Sequence, residues 1–341
     1  MFIKSYIYSS FILFLMKCGG PNTPSFKILT GIENDKAIWG DTLHLKLNKT
    51  IDATKVDYFL NNKPISSNHI FTNEPLGTYP LKAVVMQGET IFEKTTTLTL
   101  LAPNPPKLFS YELVASYPHD ITAYTQGLEF DGDVLYESTG LNGKSSLRKV
   151  NYRTGAITEN KALDTNFFGE GLTVINDKVI QLTWKSMKGL VYDKETLKMQ
   201  KSFPFSASKE GWGLCNNGTS LFKSDGTNRI WELDAKTYKE KGSIQVMTHK
   251  TSLKNLNELE WVEGKIYANT YQFKKDVVVI IDPLSGIVEG VVDFSGLKEK
   301  VKQHSQLNVF NGIAYHPTRK TFFVTGKNWD TLFEVKILPK E

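Results

Sequence analysis

The chain has 341 residues, 40% of them hydrophobic and 12% aromatic, enough to fill a globular core at a length that suggests two domains. Its 41 basic and 36 acidic residues leave a formal charge of only +5, with no basic run. That balance excludes the electrostatic footprint of a nucleic-acid partner.

Residues 1–20, "MFIKSYIYSSFILFLMKCGG", place one lysine ahead of a short apolar stretch and then Cys18 ahead of two glycines. This is the layout of a bacterial export signal, too short to span a membrane comfortably. Cys18 stands where a lipoprotein signal carries its lipid acceptor, which would anchor the protein to a membrane. Lys17 occupies the place of that signal's usual small residue, so an ordinary cleaved signal peptide remains the alternative. In either case the expected location is outside the cytoplasm, periplasmic or as a membrane-anchored lipoprotein. Cys215 is the only other cysteine, and no disulfide is expected.

Residues 24–102 read as short strands such as "FKILTGI", "DTLHLKL", "KVDYFLN", "YPLKAVVMQ" and "TIFEKTTTLTLL", separated by the turn signals "NNKP" and "EPLG". The pattern suggests a small immunoglobulin-like β-sandwich. His44 and His69 are isolated in it and read as surface or core residues. Residues 103–107, within "APNPPK", form a proline-rich linker.

From 108 to 338 the sequence repeats. "QGLEF" at Gln126, "EGLTV" at Glu170, "WGLCN" at Trp212, "NELEW" at Asn257 and "NGIAY" at Asn311 follow one another at spacings of 44, 42, 45 and 54. Each opening leads through a turn ("FDGD", "INDK", "NNGT", "VEGK", "HPTRK") to a second and a third strand. Repeats of about 40–50 residues with four short strands each are the signature of propeller blades. The fold class is therefore all-β, a five-bladed β-propeller behind the sandwich. The one long spacing contains "FSGLKEKVKQHSQ", which reads as a helical insert.

In such a fold the strand openings converge around the centre. They are Gln126, Glu170, Trp212, Asn257 and Asn311, and the second strands end on Thr139, Trp184, Asp225, Tyr271 and Lys327. One end would thus collect a carboxylate, an ammonium, amides and large aromatics. Each alone is more often a structural residue; five in register, differing in chemistry, favour a ligand pocket. Glu170 follows Phe167 and Phe168, an apolar setting that would raise its proton affinity. At the centre only Glu170 and Asp225 are expected as carboxylates. That is too few for a calcium-dependent lactonase-type propeller.

At these positions the sequence resembles the plant- and bacterial-type glutaminyl-peptide cyclotransferases, also called glutamine cyclotransferases. The likeness covers about residues 108 to 338. It rests on "YTQGLEF", "LYESTG", "FGEGLT", "LTWK", "EGWGL", "SDGT", "LNELEW", "ANTYQ", "LNGIAY" and "VTGKNW", in the family's order. The resemblance implies a five-bladed propeller that closes the N-terminal glutamine of peptides or proteins to pyroglutamate and releases ammonia. Glu170 would be the acid/base, and Lys327 and Asn257 would polarise the amide oxygen. Gln126, Trp184, Trp212, Tyr271, Phe168, Tyr124 and Asn311 would bind substrate. The family uses no metal and no cofactor, and His249, His304 and His316 are scattered, without ligand spacing. Tyr271 stands where the family usually has tryptophan, and Tyr124 where it usually has phenylalanine. A monomer is expected. The alternative is an exported propeller that binds peptides or small ligands without turnover.

Overall fold

A computed structural model describes residues 25–49 and 51–340, so the export segment and Cys18 lie outside the described residues. The chain divides into two compact units. One comprises the chain up to Ile32 with Leu43–His69 and Pro80–Thr97; the other comprises Glu33–Thr42, Ile70–Tyr79 and the chain from Leu98 onward. In the first, Lys55–Leu60 pairs antiparallel with Lys63–Ile65 on one edge and with residues 81–86 on the other. Leu81, Ala83 and Val85 alternate on the buried face, the period-two pattern of a half-buried strand.

The second unit is built from antiparallel quartets. The first is Thr125–Asp131, Val134–Thr139, Ser146–Asn151 and Ala156–Ala162; the second is Gly169–Ile175, Lys178–Thr183, Lys188–Asp193 and Met199–Pro204; the third is Leu214–Asn216, Ser220–Ser224, Arg229–Asp234 and Glu240–Gln245. Leu256–Val262, Lys265–Thr270, Val277–Ile281 and Val288–Asp293 follow as the fourth. Phe310–His316, Thr321–Gly326 and Thr331–Pro339 take Lys107–Pro118 as the outer strand of the fifth, so the start of this unit is hydrogen-bonded to its end. Lys107–Phe109 also runs parallel to Gly290–Val292, joining the last two quartets into one eight-stranded sheet.

The leading strands of the quartets touch in a closed circuit, first to second, onward to fifth, and fifth back to first. Hydrophobic clusters fill the gaps between neighbouring quartets. Leu172 and Leu190 meet Tyr136 and Leu147, Leu214 and Leu221 meet Ile180 and Leu182, and Leu128 and Leu135 meet Ala314 and Phe323 across the closing junction. Each fully buried aliphatic side chain of this kind is worth roughly 1.5–3 kcal/mol. Burial falls from the leading strands, buried on both faces, to outer strands such as Ala156–Ala162, which are exposed.

The segment expected to be a helical insert is not one. It holds only a 3-10 turn at Lys298–Lys300, preceded by Gly296 at φ +95°. Phe294, Leu297 and Val301 are drawn into the cluster around Phe310 and Trp329, and this packing rather than helical hydrogen bonding fixes the chain there.

Candidate active site

Four of the five leading strands begin with a β-bulge, placed after Thr125, Gly169, Leu256 and Phe310. The residues left out of register are Gln126 alone, Glu170 with Gly171, Asn257 with Glu258, and Asn311 with Gly312. A bulge re-aims side chains at a strand end, which is how these four turn out of the ladder. The glycines that follow have a spatial cause: neighbouring leading strands approach backbone to backbone. A Cβ on Gly171 would stand 2.6 Å from Leu214 N, and one on Gly213 would collide with the carbonyl oxygen of Asn257. In the fourth repeat Glu258 takes the glycine's place. Its carboxylate accepts the N–H groups of Leu128 (3.3 Å) and Ile313 (3.0 Å), tying three leading strands together.

Around Glu170 the aromatic residues close a ring of contacts. Phe168 packs edge-on against Trp184 (5.5 Å between centroids) and against Tyr124 (6.2 Å). Lys327 Nζ lies over the rings of Tyr124 (4.8 Å) and Tyr271 (5.2 Å), and Tyr271 meets Trp212 edge-on at 5.9 Å. The circuit closes through Glu210, whose Oε2 accepts Nε1–H from both Trp184 (2.7 Å) and Trp212 (2.8 Å). Glu170 and Lys327 are buried, while the aromatics are half-exposed, so the ring forms a wall open on one side.

Burial pushes the Glu170 carboxyl well above the ordinary glutamate range; Lys327 pulls it back and Glu210 pushes it further up. The same burial draws the Lys327 ammonium down to about 8, against the opposing pull of Glu170. The proton affinities of the carboxyl and the ammonium are thus moved toward each other, the arrangement expected of a proton-transfer site. Beside the ring, Asn311 Nδ2 donates to Thr125 O (3.0 Å) and Gln126 Oε1 (3.3 Å). Asn257 Oδ1 is buried and has no hydrogen-bond partner, leaving a polar atom available at the opening of the fourth strand.

The structure therefore brings Tyr124, Phe168, Trp184, Trp212, Tyr271 and Lys327 into one circuit around Glu170. Gln126 pairs with Asn311, and the side-chain oxygen of Asn257 is left without a partner. Glu210 was not singled out from the sequence, although it opens "EGWGL" and stands two residues before Trp212, as Tyr124 stands before Gln126 and Phe168 before Glu170. Asp225 follows the second strand of the third quartet, at the position expected of it. Its carboxylate turns away to Thr227 and Trp231 Nε1, satisfying its own loop.

Carboxylates do gather lower on the leading strands. Three residues after each opening come Glu129, Thr173, Cys215, Glu260 and Ala314, on the same strand face as the glycine column. Glu129 accepts from Thr173 Oγ1 (2.5 Å) and Val174 N (3.0 Å), and Glu260 from Tyr315 N (3.0 Å). Burial raises all three: Glu258 well above the usual range with repulsion from Glu260 and Glu129 added, Glu260 well above it with repulsion from Glu129, and Glu129 to about 8 with repulsion from Asp131. Reading the fourth column of the repeats as well as the first would have found them. Among the described residues, no group of three His, Cys, Asp or Glu side chains is placed to hold a metal ion.

The glutamine cyclotransferase family model matches residues 83–337. A glutaminyl-peptide cyclotransferase of Arabidopsis thaliana is 39% identical over 229 residues, covering 66% of this chain and 71% of that protein. The crystal structure of Myxococcus xanthus glutaminyl cyclase superimposes with a TM-score of 0.64 at 31% identity, covering 69% of this chain and 100% of that one.

Proposed function

The chain belongs to the glutamine cyclotransferase family, and from that premise we propose that it cyclises the N-terminal glutamine of peptides or proteins to pyroglutamate with release of ammonia. It is a glutaminyl-peptide cyclotransferase, an aminoacyltransferase. The observation that carries the mechanism is the buried Glu170, its proton affinity raised by burial, within electrostatic reach of Lys327, Glu210 and Tyr124, three members of the aromatic circuit.

The glutaminyl group folds between Trp184, Trp212, Phe168 and Tyr271, which bring its α-amine onto its own γ-carboxamide carbon. Proximity alone removes much of the barrier to an intramolecular attack. As the C–N bond forms, negative charge grows on the carboxamide oxygen, where Lys327 and Asn257 stabilise it. Glu170 takes a proton from the attacking nitrogen and passes it to the departing one; the old C–N bond breaks and ammonia leaves. A raised proton affinity suits a group that must both take and give that proton. Gln126 and Asn311 hydrogen-bond the substrate backbone, and Tyr124 completes the wall. Every step uses side chains and substrate only, so no metal or cofactor enters.

The strand pairing supports reading the larger unit as a five-bladed propeller closed by Lys107–Pro118, and the smaller unit as an immunoglobulin-like module. We place the protein outside the cytoplasm as a monomer, with Cys18 as lipid acceptor in the anchored form. Ammonia release from a glutaminyl dipeptide tests the activity. A folded chain that releases none from any glutaminyl peptide contradicts the reading.

A further inference from the structure

We propose that Glu210 is a positioning residue for the reaction: it fixes the two tryptophan walls of the site by accepting both indole N–H groups. The inference rests on the cyclotransferase reading of the site. Trp184 follows the second strand of the second quartet and Trp212 precedes the leading strand of the third, so the two indoles sit on separate sheets. Glu210 Oε2 receives Nε1–H from both, at 2.7 and 2.8 Å. An indole has one donor. With that donor held by the carboxylate, ring rotation is blocked and the apolar faces stay turned to Phe168 and Tyr271.

The loop carrying Glu210 is itself fastened from below. Lys223 is fully buried, and its ammonium donates to the Glu210 carbonyl (2.8 Å) and to Ser208 Oγ, over the ring of Phe205 at 4.2 Å. Glu240, 3.9 Å from Lys223, accepts from Ser206 Oγ and Ala207 N, both at 2.6 Å, and from Ser208 N at 3.3 Å. Burying an ammonium is costly unless its partners are fixed. Here the buried pair holds residues 206–210, and through them the carboxylate between the indoles.

The charge has a second effect. The ionisable groups facing Glu170 are Lys327 from the fifth quartet, Tyr124 from the segment before the first, and Glu210 from its loop. Lys327 lowers the proton affinity of Glu170 and Glu210 raises it, so removing Glu210's charge shifts the acid limb of turnover to lower pH.

Two substitutions separate these roles. Glu210→Ala removes the acceptor of both indoles, and KM for a glutaminyl dipeptide should rise roughly tenfold or more while kcat falls less, as expected for lost wall geometry. Its near-UV circular dichroism should change in the tryptophan bands with an unchanged far-UV spectrum. Glu210→Gln keeps an acceptor oxygen, so KM and the near-UV spectrum should stay near wild type while the acid limb of kcat moves down. Tryptophan bands and KM unaltered in Glu210→Ala, or a KM in Glu210→Gln raised as far as in Glu210→Ala, would overturn the proposal. A wild-type chain that releases no ammonia refutes the functional reading instead, and the near-UV spectrum of Glu210→Ala still decides whether Glu210 holds the indoles.

Discussion

Lys327 Nζ lies 4.8 Å from the centre of the Tyr124 ring, so the cation of the site rests on an aromatic face. A ring quadrupole holds an ammonium without consuming its hydrogen-bond donors. Those N–H groups remain available for the carboxamide oxygen. Burial has lowered this ammonium to about 8, and the rate of the enzyme–substrate complex should fall above that pH as the donor loses its charge. Lys327→Met should abolish this alkaline limb and cut kcat by roughly two to three orders of magnitude, the usual effect of losing an oxyanion donor. The acid limb should move up, because Glu170 loses the positive charge that favours its ionised form. A pH profile of kcat decides; an alkaline limb that survives in Lys327→Met assigns it elsewhere.

Much of the site was legible in the sequence because repeats converge. Once the openings were aligned, Glu170, Trp212 and Asn257 fell at one end of the leading strands, and Trp184, Tyr271 and Lys327 at the ends of the second. The strand bulges that turn Gln126 and Glu170 out of register were not legible, since a bulge is a property of pairing between strands. Glu210 was hidden for a related reason: it acts by joining two indoles distant in sequence. The partners of Asp225, Thr227 and Trp231, were likewise not legible, since they depend on how its loop folds back on the third strand.

Glu258 replaces a glycine of the repeat and caps two buried backbone N–H groups, on Leu128 and Ile313. Glu258→Ala should therefore lower stability by about 1–3 kcal/mol for each donor left without a partner. Glu258→Gln, which keeps an acceptor, should cost much less. Chemical denaturation of both variants measures this. Equal losses would mean that charge, not donor satisfaction, is what the position supplies.

The buried carboxylates make stability depend on pH. Glu129 holds its proton to about 8 when folded and to the ordinary glutamate range when unfolded. Between those values the folded chain binds more protons, so this contribution is complete at acid pH and is lost as pH rises. Glu129→Gln removes the titration and can still accept from Val174 N. Its thermal midpoint should fall less than the wild type's on going from mildly acid pH to about 8. Parallel curves for the two proteins would show that Glu129 does not titrate in that window.

Chelators offer a direct contrast with zinc-dependent routes to the same product. Every proposed step runs through Glu170, Lys327 and Asn257, and among the described residues none of the acidic, cysteine or histidine side chains forms a metal-holding group of three. EDTA or phenanthroline should leave ammonia release unchanged. Reversible loss of activity, restored by zinc, would contradict the proton-transfer scheme.

Glu170 decides the mechanism. Ser138 Oγ and the N–H of Gly171 hold the backbone around it, the latter through a 2.6 Å bond to Trp212 O, so its position does not depend on its own carboxyl. Glu170→Gln keeps the size and removes the exchangeable proton, and the site then has an amide where a proton relay stood. Turnover should drop by roughly two to four orders of magnitude, the range expected for a lost general acid/base. KM should change little, since the aromatic walls and Lys327 remain in place. Burial works against a charged Glu170, so neutralising it should leave the protein at least as stable, with an unchanged or higher thermal midpoint. Glu260→Gln, which alters a carboxylate lower on the leading strands, should leave turnover far less affected. Ammonia release by each variant, together with thermal melts, makes the comparison. A well-folded Glu170→Gln protein with near-normal turnover would sink the mechanism and leave Glu170 as a buried strut of the ring.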